Sequence, residues 1–142
     1  MTDAPRDEQL STIIEERDGV CVVRVAGELD VYTAVSLRAT LDDLPGYEAG
    51  KLVVDLTGLG FMDSSGLGVL IATKKRIEST DGSFAVVSDG GPVLRLLSVT
   101  GLVHVLNTFD SLDAATTRIA TGTTGDTDDT GTAGTADPGP RL

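Results

Sequence analysis

The residues best suited to chemistry stand together in Asp63-Ser64-Ser65-Gly66-Leu67-Gly68. An apolar run of strand type, Leu52-Val53-Val54-Asp55-Leu56, leads into a Gly-rich loop from Thr57 to Met62. Leu67, Leu70, Ile71 and Ile77 then recur at helical spacing, so a helix must open at Asp63-Ser64-Ser65. A hydroxyl at a helix mouth can accept hydrogen bonds from the unpaired N–H groups of the first turn. It can also be offered outward, to another protein's backbone or to a phosphate group. Capping explains a serine there but not Gly66 and Gly68, because glycine costs a helix about 1 kcal/mol relative to Ala. Small residues beside the hydroxyl let a partner backbone or a phosphate approach closely.

Other chemistries fit poorly. A serine hydrolase calls for a Gly-x-Ser-x-Gly elbow, whereas the chain has Met62-Asp63-Ser64-Ser65-Gly66, and His104, its one histidine, would have to be the base. Gly58-Leu59-Gly60-Phe61-Met62-Asp63 follows a strand, but an aspartate replaces the third glycine of a dinucleotide fingerprint and would repel a pyrophosphate. Cys21 is the only cysteine, which excludes an internal disulfide and a cysteine metal cluster; within Val20-Cys21-Val22-Val23 it reads as a buried, inert thiol. His104 has no second ligand nearby and reads as a solvent-side strand residue. No metal, no cofactor and no catalysis are expected.

A formal net charge of −11 argues against a nucleic acid backbone or an anionic membrane surface, both of which require a basic face. A protein partner is the better expectation. Residues 122–142 hold four aspartates against Arg141, a local −3 that leaves −8 on the rest, so the folding part is itself acidic. No run approaches the ~20 apolar residues of a membrane span, and the N-terminus lacks the form of an export signal, which suggests a cytoplasmic protein.

The remaining elements must hold that serine in place. Residues 1–10 read as a flexible N-terminus. Ser11 to Glu16 reads as a strand, Asp18-Gly19 as a hairpin turn, and Val20 to Ala26 as a second strand apolar on both faces. Gly27-Glu28-Leu29-Asp30 comes next, and Asp30 precedes a helix from Val31 to Leu44 whose Ala34, Leu37, Leu41 and Leu44 share one face; it serves as a cap alone or as a cap and a partner contact. That helix supplies the crossover that makes the Leu52 to Leu56 strand parallel to its predecessor, with Pro45-Gly46 as its stop. If the two strands are neighbours, Glu28, Asp30, Asp63 and the serine gather at one edge. Asp55 is expected to order a loop by accepting turn N–H groups, and Lys74-Lys75-Arg76 to complement a helix C-terminus.

Ser83 to Ser88 is a further buried strand. Gly90-Gly91-Pro92 opens a helix with Val93, Leu96 and Leu97 inward, Val103 to Leu106 is a last short strand, and Asp110-Ser111 caps a helix carrying Leu112, Ala115 and Ile119. From Gly122 onward, six Thr, five Gly and four Asp leave too little apolar surface to offset ordering, so residues 122–142 are expected to be a disordered acidic tail. Residues 11–121 thus form one α/β domain: a mainly parallel sheet of about five strands with an N-terminal hairpin edge, covered by about four helices.

Met62-Asp63-Ser64-Ser65-Gly66-Leu67-Gly68-Val69-Leu70, together with Gly27-Glu28-Leu29-Asp30, resembles the bacterial anti-sigma factor antagonists, the STAS-domain proteins of partner-switching pathways. The resemblance runs from about residue 11 to about residue 120. It implies the STAS fold, a phosphoacceptor at Ser64, and a partner-binding surface of Asp30, Asp63, Ser64, Ser65, Gly66, Gly68 and Val69. The unphosphorylated form would bind an anti-sigma factor and release a sigma factor. Phosphorylation by that same anti-sigma factor, a serine kinase of ATPase-type fold, would break the contact, and a serine phosphatase acting on phospho-Ser64 would restore it. The motif favours Ser64, whereas chemistry alone does not separate it from Ser65. A STAS scaffold or sensor in an assembly unrelated to a sigma factor shares the same fold and stays open.

Overall fold

The computed structural model describes residues 9–44 and 50–121. The expected stop at Pro45-Gly46, the N-terminal residues 1–8 and the tail from Gly122 lie outside the described residues. In chain order the elements are β1 (Leu10–Arg17), β2 (Val20–Leu29), α1 (Val31–Asp42), β3 (Lys51–Met62), α2 (Ser64–Glu78), β4 (Ser83–Val87), α3 (Gly91–Val99), β5 (Thr108–Phe109) and α4 (Leu112–Ala120).

The five strands lie side by side in the order β1-β2-β3-β4-β5. β1 is antiparallel to β2, joined through Asp18 and Gly19, both at positive φ (53° and 81°) as a tight hairpin turn requires. The other pairings are parallel, since each is separated by a helical crossover. The mainly parallel α/β sheet with a hairpin edge is therefore as the sequence implies.

The strand sequences explain the layering. Val20, Val22, Val23 and Val25 of β2 are all buried, as are all five residues of β4, because both faces of the central sheet are covered. On one face α1, α2 and α3 pack Leu37, Leu41, Leu70, Ile77, Val93 and Leu97 against Leu29, Leu52, Val54, Leu56 and Phe84. On the other, α4 sets Ala115 and Ile119 on Val20, Val22, Val53, Ala85 and Val87. Full burial of each Leu, Ile or Val contributes roughly 1.5 to 3 kcal/mol, so the aliphatic core compensates for the scarcity of aromatics. Ser111 caps α4 through its hydroxyl, which accepts from Ala114 N at 3.1 Å.

Two expectations are corrected. Val103 to Leu106 is not a strand but part of a turn; His104 is exposed within it, and the last strand is the two-residue β5 further on. Leu106 still fills the core, fully buried, so a short apolar run there marked burial rather than pairing. Likewise Thr57 to Met62 is not a loop: β3 continues to Met62. Gly58 lies so close to β2 that a Cβ would stand 2.8 Å from that of Ala26, and the ladder shifts register between Arg24 and Ala26 and again between Gly27 and Glu28. Glycine here allows an irregular strand pairing rather than ending a strand.

Cys21 is half-buried, and burial, with Glu16 nearby, pushes its thiol above its ordinary pKa, in keeping with an inert side chain. Asp55 lies inside β3, buried, and its Oδ1 accepts from the N–H and hydroxyl of Thr57 at 3.0 and 2.8 Å. It orders backbone as expected, at the register shift instead of in a loop, with Arg24 3.7 Å away. Lys75 and Arg76 occupy the last turn of α2, where Arg76 also pairs with Asp42 of α1.

Candidate functional site

Two strand-to-helix junctions meet at one edge of the sheet. Leu29 pairs with Met62 at the ends of β2 and β3, and Asp63 N donates to Leu29 O at 3.2 Å, which fixes the start of α2 beside the start of α1. Glu28, Asp30, Asp63 and Ser64 are thereby brought to one place, as the neighbouring-strand argument requires. Gly27 makes the β2 end possible. It sits at φ +110°, and a Cβ would run into the Gln9 carbonyl that accepts from Glu28 N.

Asp30 caps α1. Its carboxylate accepts from Tyr32 N and Thr33 N at 2.9 and 3.0 Å, while Thr33 Oγ1 accepts from Asp30 N at 2.9 Å, closing a reciprocal capping box. The Thr33 amide, then the Tyr32 amide and the Thr33 hydroxyl, hold the Asp30 carboxyl below its ordinary pKa despite some desolvation. Buried Thr33 also donates its hydroxyl to Glu28 O at 2.8 Å, tying the helix start to the strand end.

Asp63 caps α2, its Oδ1 accepting from Ser65 N at 2.8 Å, while its own carbonyl takes Gly66 N and Leu67 N at 3.1 and 3.3 Å. The aspartate, and neither serine, does the capping. Ser64, the first residue of the helix, is exposed and Ser65 is half-buried. No protein group among the described residues engages the Ser64 hydroxyl, so it is free to react or to be contacted.

The other expected contact residues divide. Gly68 is exposed, with open space where a Cβ would be. Gly66 and Val69 face inward instead. A Cβ on Gly66 would stand 2.7 to 2.8 Å from Leu29 and Met62, and Val69 is 6% exposed within the core. Gly66 is glycine to let the helix settle on the strand ends, and neither residue reaches the surface that Ser64 occupies.

Sequence reasoning missed a group of large apolar residues here. Val31, Tyr32 and Val35 of α1 are 57%, 59% and 71% exposed, and Phe61, opposite Glu28 in the ladder, is 44% exposed. A signal was available: these three helix positions lie off the Thr33, Ala34, Leu37, Leu41 stripe that α1 buries. The electrostatics are one-sided. Asp63 adjoins the serine in the chain, Glu28 and Asp30 stand at the end of the neighbouring strand, and no Lys or Arg occurs in residues 25–37 or 52–73. No group of three or more potential metal ligands is found among the described residues, nor any helix long and apolar enough to cross a membrane.

The STAS domain family model matches residues 11–115. The chain is 36% identical over 107 residues to the anti-sigma F factor antagonist of Paenibacillus polymyxa, spanning 75% of this chain and 92% of that protein. To the anti-sigma-F factor antagonist RsfB of Mycobacterium tuberculosis it is 29% identical over 115 residues, spanning 81% and 93%. Among solved structures, an anti-sigma factor antagonist from Mycobacterium paratuberculosis superposes with a TM-score of 0.71 at 34% identity, over 78% of this chain and 93% of that one.

Proposed function

The chain belongs to the STAS domain family, and from that premise we propose that it is an anti-sigma factor antagonist of the cytoplasm, a regulatory binding protein and not an enzyme. In its unphosphorylated form it binds an anti-sigma factor, which then releases its sigma factor. The anti-sigma factor, a serine kinase of ATPase-type fold, phosphorylates Ser64 and so ends the contact, and a serine phosphatase acting on phospho-Ser64 restores it. The names of the relatives support the antagonist role.

The observation that carries the switch is the exposed Ser64 hydroxyl, with Asp63 capping α2 in its stead. Ser65 is less accessible, which supports Ser64 as the acceptor. A phosphate there adds a charge of about −1.5 to −2 beside the Asp63 carboxylate. Asp63 already accepts from the N–H groups of Ser65, Gly66 and Leu67, so the phosphate finds few donors on its own helix and remains in water. A partner that covers Ser64 would have to bury an unpaired charge, at a cost of several kcal/mol. A loss of about 4 kcal/mol is roughly a thousandfold in affinity. No rearrangement of the fold is needed.

Calorimetric titration of the anti-sigma factor into Ser64→Glu and Ser64→Ala tests this reading. Ser64→Glu is expected to melt like the wild type and to lose binding by about a hundredfold or more. Ser64→Ala should bind and resist phosphorylation by the kinase with ATP. Wild-type affinity in Ser64→Glu, or phosphate incorporated into Ser64→Ala, would overturn it.

A further inference from the structure

The sheet ends differently at its two edges. β5 offers only Thr108 and Phe109, too short to template another strand, whereas β1 is eight residues long, contains no Pro or Lys, and pairs with β2 without a bulge from Leu10 to Arg17. An edge of that length is ordinarily shortened, charged or covered. The charges of β1 gather at its hairpin end, and Ile13 and Ile14 at its middle are 58% and 46% exposed, one on each face of the sheet. Among the described residues no strand lies along its outer side.

The hairpin fixes which backbone groups of that edge are idle. Asp18-Gly19 is a two-residue turn, so Arg17 and Val20 exchange hydrogen bonds, and with them every second pair: Glu15 with Val22, Ile13 with Arg24, Ser11 with Ala26. The alternation continues at Gln9, whose carbonyl accepts from Glu28 N. The amides and carbonyls of Leu10, Thr12, Ile14 and Glu16 therefore point away from β2, toward the open side.

We infer that β1 is a self-association edge, which pairs antiparallel with β1 of a second copy about a two-fold axis at Ile13. That axis sets Thr12 opposite the second copy's Ile14 and Leu10 opposite its Glu16, so all four idle positions find partners, in about eight hydrogen bonds. An axis at Ile14 would leave Leu10 facing the hairpin turn. Charge agrees with the first register, since Glu15 meets Ser11, Glu16 meets Leu10, Arg17 meets Gln9, and no like charges stand opposite each other. Glu15 is also held by Arg17 and Arg24 of its own chain, at 3.4 and 3.8 Å. The two Ile13 side chains meet at the axis in a non-hydrogen-bonded pair, where side chains come closest. This self-complementarity selects a second copy over an unrelated strand. Both copies carry a net charge of −11, so the pair is weak at low salt and tightens as salt screens that repulsion. The inference is independent of the function proposed above, because Ser64 follows β3, two strands in from this edge.

Sedimentation of the full chain from micromolar to millimolar concentration is expected to show a monomer–dimer equilibrium that shifts toward dimer as salt is raised. Ile13→Lys sets two ammonium groups face to face at the axis, on a residue the monomer leaves exposed, and should raise the dissociation constant about tenfold or more with an unchanged melting temperature. The register is read by cross-linking with oxidised glutathione in a Cys21→Ser background. Cα atoms of a non-hydrogen-bonded pair stand about 4.5 Å apart, within disulfide reach, so Ile13→Cys should cross-link the dimer while Ile14→Cys, offset from its counterpart, should not. A monomer at every concentration would overturn the inference. So would a dimer that Ile13→Lys leaves intact, or cross-linking of Ile14→Cys as fast as that of Ile13→Cys.

Discussion

The chain builds the same junction twice and uses the copies differently. β2 runs into α1 through Asp30, and β3 runs into α2 through Asp63. Both aspartates are extended caps with nearly equal backbone angles, φ −123° and ψ −169° in the first, φ −117° and ψ −170° in the second. The residues beyond the cap differ. Behind Asp30, buried Thr33 closes a capping box and ties α1 to the Glu28 carbonyl, and apolar residues face outward. Behind Asp63 come Ser64, Ser65, Gly66 and Gly68, with one side-chain cap bond and an exposed hydroxyl. A locked mouth provides a firm surface, and an unlocked one leaves a group available for modification. The residue three positions past the cap, Thr33 in one copy and Gly66 in the other, decides which kind a junction becomes.

Substitutions that exchange these properties break the comparison by predictable amounts. Gly66→Val should do the most damage, because its side chain would collide with buried Leu29 and Met62; a loss of about 2 to 3 kcal/mol by chemical denaturation is expected. A loss below about 0.5 kcal/mol would mean that α2 can lift off the strand ends at little cost. Thr33→Val comes next. It keeps the volume but strands the Glu28 carbonyl and one capping bond, for about 1 to 2 kcal/mol, and an unchanged denaturation midpoint would reduce the locked mouth to a single cap.

Gly68→Ala sharpens the contrast from the other side. Nothing occupies the space its Cβ would take, so helix propensity alone predicts a gain of up to about 1 kcal/mol. Two glycines in one turn should thus respond with opposite signs.

The smallest effect is a titration. Hydrogen bonds from the Thr33 and Tyr32 amides hold the Asp30 carboxyl below its ordinary value of 3.8. A depressed folded-state pKa contributes stability that is complete above the unfolded value and is lost as pH falls through the folded one. Wild type should therefore lose stability below about pH 4, and Asp30→Asn should show a shallower slope there. Equal slopes would show that the capping box does not discriminate between the two forms of the carboxyl.

Much of this is legible in the chain. The serine at a helix mouth and the hairpin edge emerge from periodicity and turn chemistry, because each depends on neighbours in sequence, and the parallel pairing that brings Asp30 to Asp63 follows from the helical crossover between β2 and β3. The misreadings share a different cause. Gly58 looks like a loop and is a close approach between strands; Gly66 looks like room for a partner and is room for Leu29 and Met62. Both depend on what lies across a gap, which a single sequence does not display. Val69 suggests a surface residue from its place in the motif, although it continues the inward stripe of Leu67 and Leu70. The exposed Val31, Tyr32 and Val35 are readable as apolar residues off the buried stripe of their helix, but the stronger pattern of the buried face masks them.

The uneven pairing of β2 and β3 has a further consequence. Cys21 stands opposite Leu52 and Leu29 opposite Met62, so eight residues of travel along one strand match ten along the other. The segment from Thr57 to Phe61 behaves as a vernier, taking up surplus length so that the reactive oxygen lands level with the helix next door. Deleting a single residue there would pull the oxygen inward by about 3.3 Å and move Met62 out of its buried place into the outward place of Phe61, with Asp63 falling into the core position. Shortening that spacer, with every motif residue untouched, would silence the switch proposed for Ser64 by misplacing it.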